Sequence, residues 1–155
     1  MLDLYDELRA LVSRLTEAQE EFALCGGLAL AVHSVPRATV DIDLLVPVAS
    51  LEGVKSVARS LGYRIEATPV VLGNGSVEIH RLSKPDPEGE DFLSVDLLVV
   101  TPPLQEAWSS REEREWEHGR LPVVSRRGLI LLKSLRGSLR DQEDIQRLRE
   151  DAPEA

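Results

Sequence analysis

The chain has 155 residues, 43% of them hydrophobic, which suits one compact domain with a buried core. Its formal net charge of −9 argues against a protein that coats nucleic acid, because neutralising phosphates requires a basic surface. The single cysteine, Cys25, excludes an internal disulfide, and no apolar run reaches the roughly 20 residues that cross a membrane. We therefore expect a soluble cytoplasmic protein with no membrane partner. Its single domain covers residues 1–150, and residues 151–155 form a frayed tail.

Hydrophobic spacing and turn residues predict alternating helices and strands along the chain. The first half is predicted as helix Leu4 to Leu15, strand Glu21 to Cys25, a Gly26-Gly27 turn, a helix that Pro36 ends, strand Val40 to Val46, and helix Leu51 to Leu61 capped by Gly62. The second half is predicted as strands Tyr63 to Ala67, Val77 to Leu82 and Leu93 to Val100, a short helix from Pro102 through Trp108, a brief strand Leu121 to Val124, and a last helical region that begins over Gly128 to Leu139. This order predicts an α/β fold with a mixed β-sheet.

Two acids interrupt the apolar strand at Val40 to Val46. Asp41 and Asp43 are two residues apart, so a strand places both carboxylates on one face, roughly 6 to 7 Å apart along the chain. Hard oxygen ligands at this spacing suit Mg²⁺ or Mn²⁺. An isolated Asp-x-Asp more often marks an exposed strand end or has arginine partners.

A third acid, Asp96, lies in the apolar strand Leu93 to Val100. If this strand pairs with the Asp41 strand, the three carboxylates converge and require a cation. Asp96 is then a candidate third metal ligand and a candidate base for an acceptor hydroxyl. The alternative is a strand acid bonded to arginine or to backbone.

The Gly26-Gly27 pair precedes a predicted helix and lets the backbone approach a phosphate group closely. A tight turn alone also explains such a pair. Lys133 lies in an apolar stretch, where a buried amine needs an anion, although a helix lysine can also reach solvent along its own stem.

Taken together, these motifs resemble the nucleotidyltransferase superfamily, whose signature is an apolar strand, Gly-Gly or Gly-Ser, a helix, and Asp-x-Asp on the next strand. Here the signature reads Leu24-Cys25-Gly26-Gly27, then Asp41-Ile42-Asp43, then Asp96. Residues 22 to 46 look most like the bacterial AbiEii and MenT-type toxin nucleotidyltransferases. The resemblance implies a polymerase beta-like nucleotidyltransferase fold.

The resemblance also implies a role for each matching residue. Gly26 and Gly27 would hold the triphosphate, Asp41, Asp43 and Asp96 would bind Mg²⁺ or Mn²⁺, and Lys133 would contact phosphates. Arg37 and Thr39 flank the metal strand and would contact phosphate or cap the loop.

The implied activity moves a nucleoside monophosphate from an NTP to a hydroxyl of RNA, such as tRNA, of a protein or of a small molecule, with a cognate antitoxin as a further partner. The alternative is a non-catalytic nucleotide-binding or protein-interaction module of the same fold, since the family's C-terminal helical region has little counterpart here. An unrelated α/β hydrolase is less favoured, because the sequence has no Gly-x-Ser-x-Gly elbow.

Overall fold

The computed structural model describes residues 2–35, 38–117 and 119–150, which form a mixed β-sheet flanked by helices. The helices in these residues are α1 Leu4–Glu17, α2 Gly26–Val32, α3 Leu51–Ser60, α4 Gln105–Ser109, α5 Arg126–Arg136 and α6 Leu139–Glu150. The strands are β1 Ala23–Cys25, β2 Asp41–Val46, β3 Ile65–Glu66, β4 Val70–Leu72, β5 Val77–Pro85, β6 Phe92–Val99, β7 Glu112–Trp116 and β8 Gly119–Val123. Single 3₁₀ turns occupy Val48–Ser50, Gly73–Gly75 and Pro102–Leu104. The predicted α/β class is confirmed.

The order of strands decides where the polar residues meet. The sheet runs β3-β5-β6-β2-β1-β8-β7, and β4 also pairs along β5. Strands β2 and β6 are parallel, with Asp43 opposite Asp96, and β5 is antiparallel to β6, with Arg81 opposite Asp96. Three residues from three separate segments therefore lie side by side in the middle of the sheet.

Buried apolar side chains on β2, β6 and α1 form the centre of the core. Leu44 and Leu97 have no exposed surface, and neither do Leu11 and Leu15 on the inner face of α1. Burying a leucine side chain contributes roughly 1.5 to 3 kcal/mol, so this contact surface holds α1 against the sheet. Packing in the core therefore makes β2 and β6, which carry the acids, a rigid support for these side chains.

Several predicted boundaries differ from the observed ones. Strand β7 was not predicted, because Glu112–Trp116 is rich in charged residues, and its pairing with β8 is what makes it a strand. Strand β4 was also missed, since Val70–Leu72 lies exposed along β5. The last helical region is divided at Gly137, whose left-handed φ of 71° ends α5 before α6 begins.

Some predictions concern residues outside the described ranges or are not tested by the fold. Pro36, Arg37 and residues 151–155 lie outside the described residues. A single domain over residues 1–150 remains a prediction. None of the helices in the described ranges combines the length and the apolar character that a membrane crossing requires.

Candidate active site

A cleft of about 570 Å³ opens above the middle of the sheet. It is lined by Gly26, Gly27, Ala38, Thr39, Val40, Asp41, Asp43, Arg81, Asp96, Lys133, Arg136, Ser138, Arg140 and Asp141. Every candidate site residue from the sequence that the structure describes is in this set. The cleft has an acidic floor, formed by β2 and β6, and a basic wall, formed by α5 and the turn into α6.

The three acids of the floor differ in their surroundings. The side chain of Asp41 is 34% exposed, whereas that of Asp96 is 11% exposed. Burial, together with the nearby charges of Asp96 and Asp41, raises the pKa of Asp43 to about 7. Burial also raises the pKa of Asp41, although the adjacent Arg81 acts in the opposite direction. The floor thus concentrates negative charge where water is scarce.

Arg81 is the one cation that contacts this floor among the described residues. Its Nε donates to Asp96 Oδ1 at 2.7 Å and its Nη2 donates to Asp96 Oδ2 at 2.8 Å, a bidentate pair. The same Nη2 lies 3.5 Å from Asp41 Oδ2. The sequence analysis missed Arg81, because its position opposite Asp96 depends on the register of the β5–β6 hairpin.

The glycine pair brings the β1–α2 connection against the acidic strand. Gly26 has φ +67°, and a Cβ atom there would overlap with the carboxylate of Asp43. A Cβ atom on Gly27 would approach the Thr39 side chain to 2.8 Å. Thr39 itself donates its hydroxyl to the carbonyl of Asp41 at 3.3 Å, so it holds the loop before β2. Glycine at both positions is required for this close approach.

Lys133 lies in the basic wall and is almost fully buried. Its Nζ donates to Asp144 Oδ2 at 2.9 Å and is 3.7 Å from Asp141 Oδ1. The buried amine therefore has the anionic partners that were expected from the sequence. Asp141 also accepts from the Ser138 hydroxyl at 2.5 Å and lies 3.9 Å from Arg136. These contacts tie α5 to α6 beside the cleft.

His33 lies outside the cleft lining. Its Nε2 donates to the Val124 carbonyl at 2.8 Å, and burial lowers its pKa. His33, which follows the last residue of α2, is therefore a packing residue at the end of this helix.

The chemistry of the floor fits a hard divalent cation. Three carboxyl groups face one guanidinium, and oxygen ligands of this kind suit Mg²⁺ or Mn²⁺. As the side chains stand, no group of three or more His, Cys, Asp or Glu within the described residues is arranged to hold a metal ion. In the same arrangement Arg81 engages both oxygens of Asp96.

Comparison with solved structures shows proteins of the same fold. The lincosamide antibiotic adenylyltransferase LnuA in its lincomycin-bound form is 16% identical, with a TM-score of 0.58 over 95% of this chain and 97% of LnuA. A Thermotoga maritima protein assigned as a nucleotidyltransferase is 13% identical, with a TM-score of 0.62 over 95% of this chain and 92% of its own. The antibiotic-resistance factor ANT(2'')-Ia is 13% identical, with a TM-score of 0.56 over 94% of this chain and 82% of its own.

Comparison with curated protein sequences gives no significant match. A family model described as nucleotidyl transferase AbiEii toxin, type IV TA system, matches residues 9–114, which is more than half of the chain and includes both glycines and all three acids. The chain therefore belongs to the AbiEii family of nucleotidyltransferase toxins.

Proposed function

We propose that this chain is a metal-dependent nucleotidyltransferase that moves a nucleoside monophosphate from an NTP to a hydroxyl acceptor. The observation that carries the proposal is the meeting of Asp41, Asp43 and Asp96 with the Gly26-Gly27 backbone and the basic wall in one cleft. A triphosphate is highly anionic, so it needs both a cation on the acidic floor and basic groups around it.

In this proposal, Asp41 and Asp43 would hold Mg²⁺ or Mn²⁺. The cation supplies charge neutralisation and polarises the phosphoryl oxygens. Gly26 and Gly27 let the phosphate chain approach the backbone, because neither carries a side chain that would block the cleft. Arg136 and Arg140 line the open side of the cleft and meet the outer phosphates there.

The reaction forms one bond and breaks one bond. The acceptor oxygen attacks the α-phosphorus, the bond from that phosphorus to the bridging oxygen breaks, and pyrophosphate leaves. The hydroxyl proton passes to the Asp96 carboxylate, which must first release one oxygen from Arg81. Lys133 holds the basic wall in place through Asp144 and Asp141, and it reaches phosphate only if it leaves these partners.

The acceptor panel follows from the family and from the structural neighbours. LnuA is named as acting on lincosamides, and ANT(2'')-Ia has been solved with adenylyl-2''-tobramycin. Small hydroxyl compounds therefore belong beside tRNA and protein as acceptors to test. The toxin family also motivates a test of growth inhibition and of relief by a cognate antitoxin.

The direct test uses each α-labelled NTP with Mg²⁺ or Mn²⁺ and with total RNA, lysate protein or small hydroxyl compounds. We expect label transfer and pyrophosphate release with the wild-type chain. Asp43→Asn should reduce transfer by more than a hundredfold, since the metal loses a ligand. The matched control is Glu52→Gln on α3, whose side chain is 81% exposed and lies outside the cleft. Nucleotide binding without transfer to any acceptor would support the non-catalytic module instead.

A further inference from the structure

We infer that Arg81 is a built-in competitor of the divalent cation at the acidic floor. In the structure the guanidinium of Arg81 forms ion pairs with Asp96 and Asp41. A metal ion must displace this guanidinium before Asp96 can become its ligand. The inference rests on the proposed function in one respect, namely that this cleft takes a divalent cation.

The geometry of the pair argues for direct competition. Both oxygens of Asp96 accept hydrogen bonds from Arg81, at 2.7 Å and 2.8 Å, so Asp96 has no oxygen free of the guanidinium. The second contact, 3.5 Å to Asp41, extends the same side chain to the acid beside Asp43. Arg81 therefore contacts two of the three carboxylates that are proposed to hold the metal ion.

The backbone fixes this arrangement. Arg81 is paired with Asp96 across β5 and β6, and Asp96 is paired with Asp43 across β6 and β2. The guanidinium is thus delivered from the adjacent strand at the height of the acids. The sheet register therefore places Arg81 over the floor, whereas nothing would hold a flexible surface arginine there.

The side chain of Arg81 can also leave. It is 48% exposed and lines the open cleft, so its guanidinium has open space into which it can move. When a cation and a nucleotide enter, the guanidinium loses its carboxylate partners and meets the phosphates of the nucleotide, for which its planar donor array is suited. Asp96 becomes available to metal and to the acceptor hydroxyl in the same event.

The test is the affinity for Mn²⁺ alone, without nucleotide, measured from the electron paramagnetic resonance signal of free Mn²⁺. We expect Arg81→Gln to bind Mn²⁺ about tenfold to a hundredfold more tightly than the wild type, because a charge-assisted bidentate pair no longer opposes the ion. Arg81→Lys keeps the charge but cannot make the bidentate pair, so its affinity should also rise. Adding Asp96→Asn to Arg81→Gln should remove the gain.

The matched control is Arg136→Gln. Arg136 carries the same charge and lines the same cleft, but its Nε lies 3.9 Å from Asp141 and it makes no ion pair with the three floor acids. Its Mn²⁺ affinity should rise less than that of Arg81→Gln, by no more than about threefold, since Arg136 acts on Asp43 only through space and forms no ion pair with the floor acids. Circular dichroism and thermal unfolding establish that each variant is folded.

Three results would overturn the inference. They are an Arg81→Gln affinity no higher than the wild type, an equal rise in Arg136→Gln, and an Arg81→Lys affinity equal to the wild type. Absence of Mn²⁺ binding in every variant would overturn it as well. The fate of the proposed function is separate, since failed label transfer together with the expected Mn²⁺ pattern would reject the transferase and keep the role of Arg81.

Discussion

Asp43→Asn should make the protein more stable at pH 8 in the absence of divalent metal, although Asp43 is a proposed catalytic residue. Asp43 is desolvated and lies beside the charges of Asp96 and Asp41, and among the described residues no Lys or Arg forms an ion pair with it. Arg81 takes the other two acids instead. Replacing the carboxylate with an amide of the same shape removes this unpaired charge. Functional sites often retain groups that oppose stability, so a stabilising substitution at such a residue is expected.

The size of the effect follows from the raised pKa. The pKa of Asp43 rises from its ordinary value of 3.8 to about 7, and one pKa unit is equivalent to about 1.4 kcal/mol, so the charged form is disfavoured by about 4 kcal/mol. A buried amide also carries a desolvation penalty, so we expect a net gain of about 2 kcal/mol. For a chain of this length that gain corresponds to a rise in Tm of about 4 to 8 °C.

The sign of the pH dependence is opposite to that of a salt-bridged aspartate. Between pH 3.8 and pH 7 the folded state retains a proton on Asp43 that the unfolded state has lost, so this group's contribution to stability falls as the pH rises. The decline is complete above the folded pKa. Asp43→Asn should therefore be less stable than the wild type at pH 4, by about 2 kcal/mol, become the more stable protein as the pH rises towards 7, and keep a level advantage at pH 8.

The assay is thermal unfolding with EDTA at pH 4, 6 and 8. Asp41→Asn is the matched control, because Asp41 is one third exposed and has Arg81 as a partner at 3.5 Å, so its removal should give little or no gain. A lower Tm for Asp43→Asn than for the wild type at pH 8, or an advantage independent of pH, would refute the reasoning.

The remaining predictions concern the backbone and the basic wall. Gly26→Ala should lower Tm by at least about 4 °C, since alanine is strained at φ +67° and its Cβ would overlap with Asp43. Gly89→Ala should change Tm by less than about 2 °C, since the nearest atom to its Cβ would be the Asp91 nitrogen at 4.0 Å. Unchanged stability of Gly26→Ala would show that the loop can move away from the acids. Lys133→Met should lower the free energy of unfolding by about 3 kcal/mol in urea titrations, because Asp144 loses a buried partner. Arg127→Gln removes an ion pair of a side chain that is 82% exposed, so it should lower the free energy of unfolding by less than about 1 kcal/mol. Equal losses in these two variants would contradict a special role for the buried pair.

The residue pattern alone predicted much of the candidate site. The Asp41-Ile42-Asp43 spacing places two carboxylates on one face of any strand, and the Gly26-Gly27 pair marks a place where side chains are excluded. Both signals are local, and the structure brings these residues together in the cleft. The family follows from the same stretch of sequence. The roles of these residues in catalysis remain predictions.

Tertiary structure alone decided the electrostatic state of the site. The pairing of Arg81 with Asp96 depends on the β5–β6 register, and the burial of Lys133 against Asp144 depends on the packing of α5 on α6. Strand β7 likewise exists through pairing with β8, since its charged sequence lacks a strand pattern. Local spacing fixes which face of a strand a side chain occupies, but contacts between distant segments fix its charge partners and therefore its pKa.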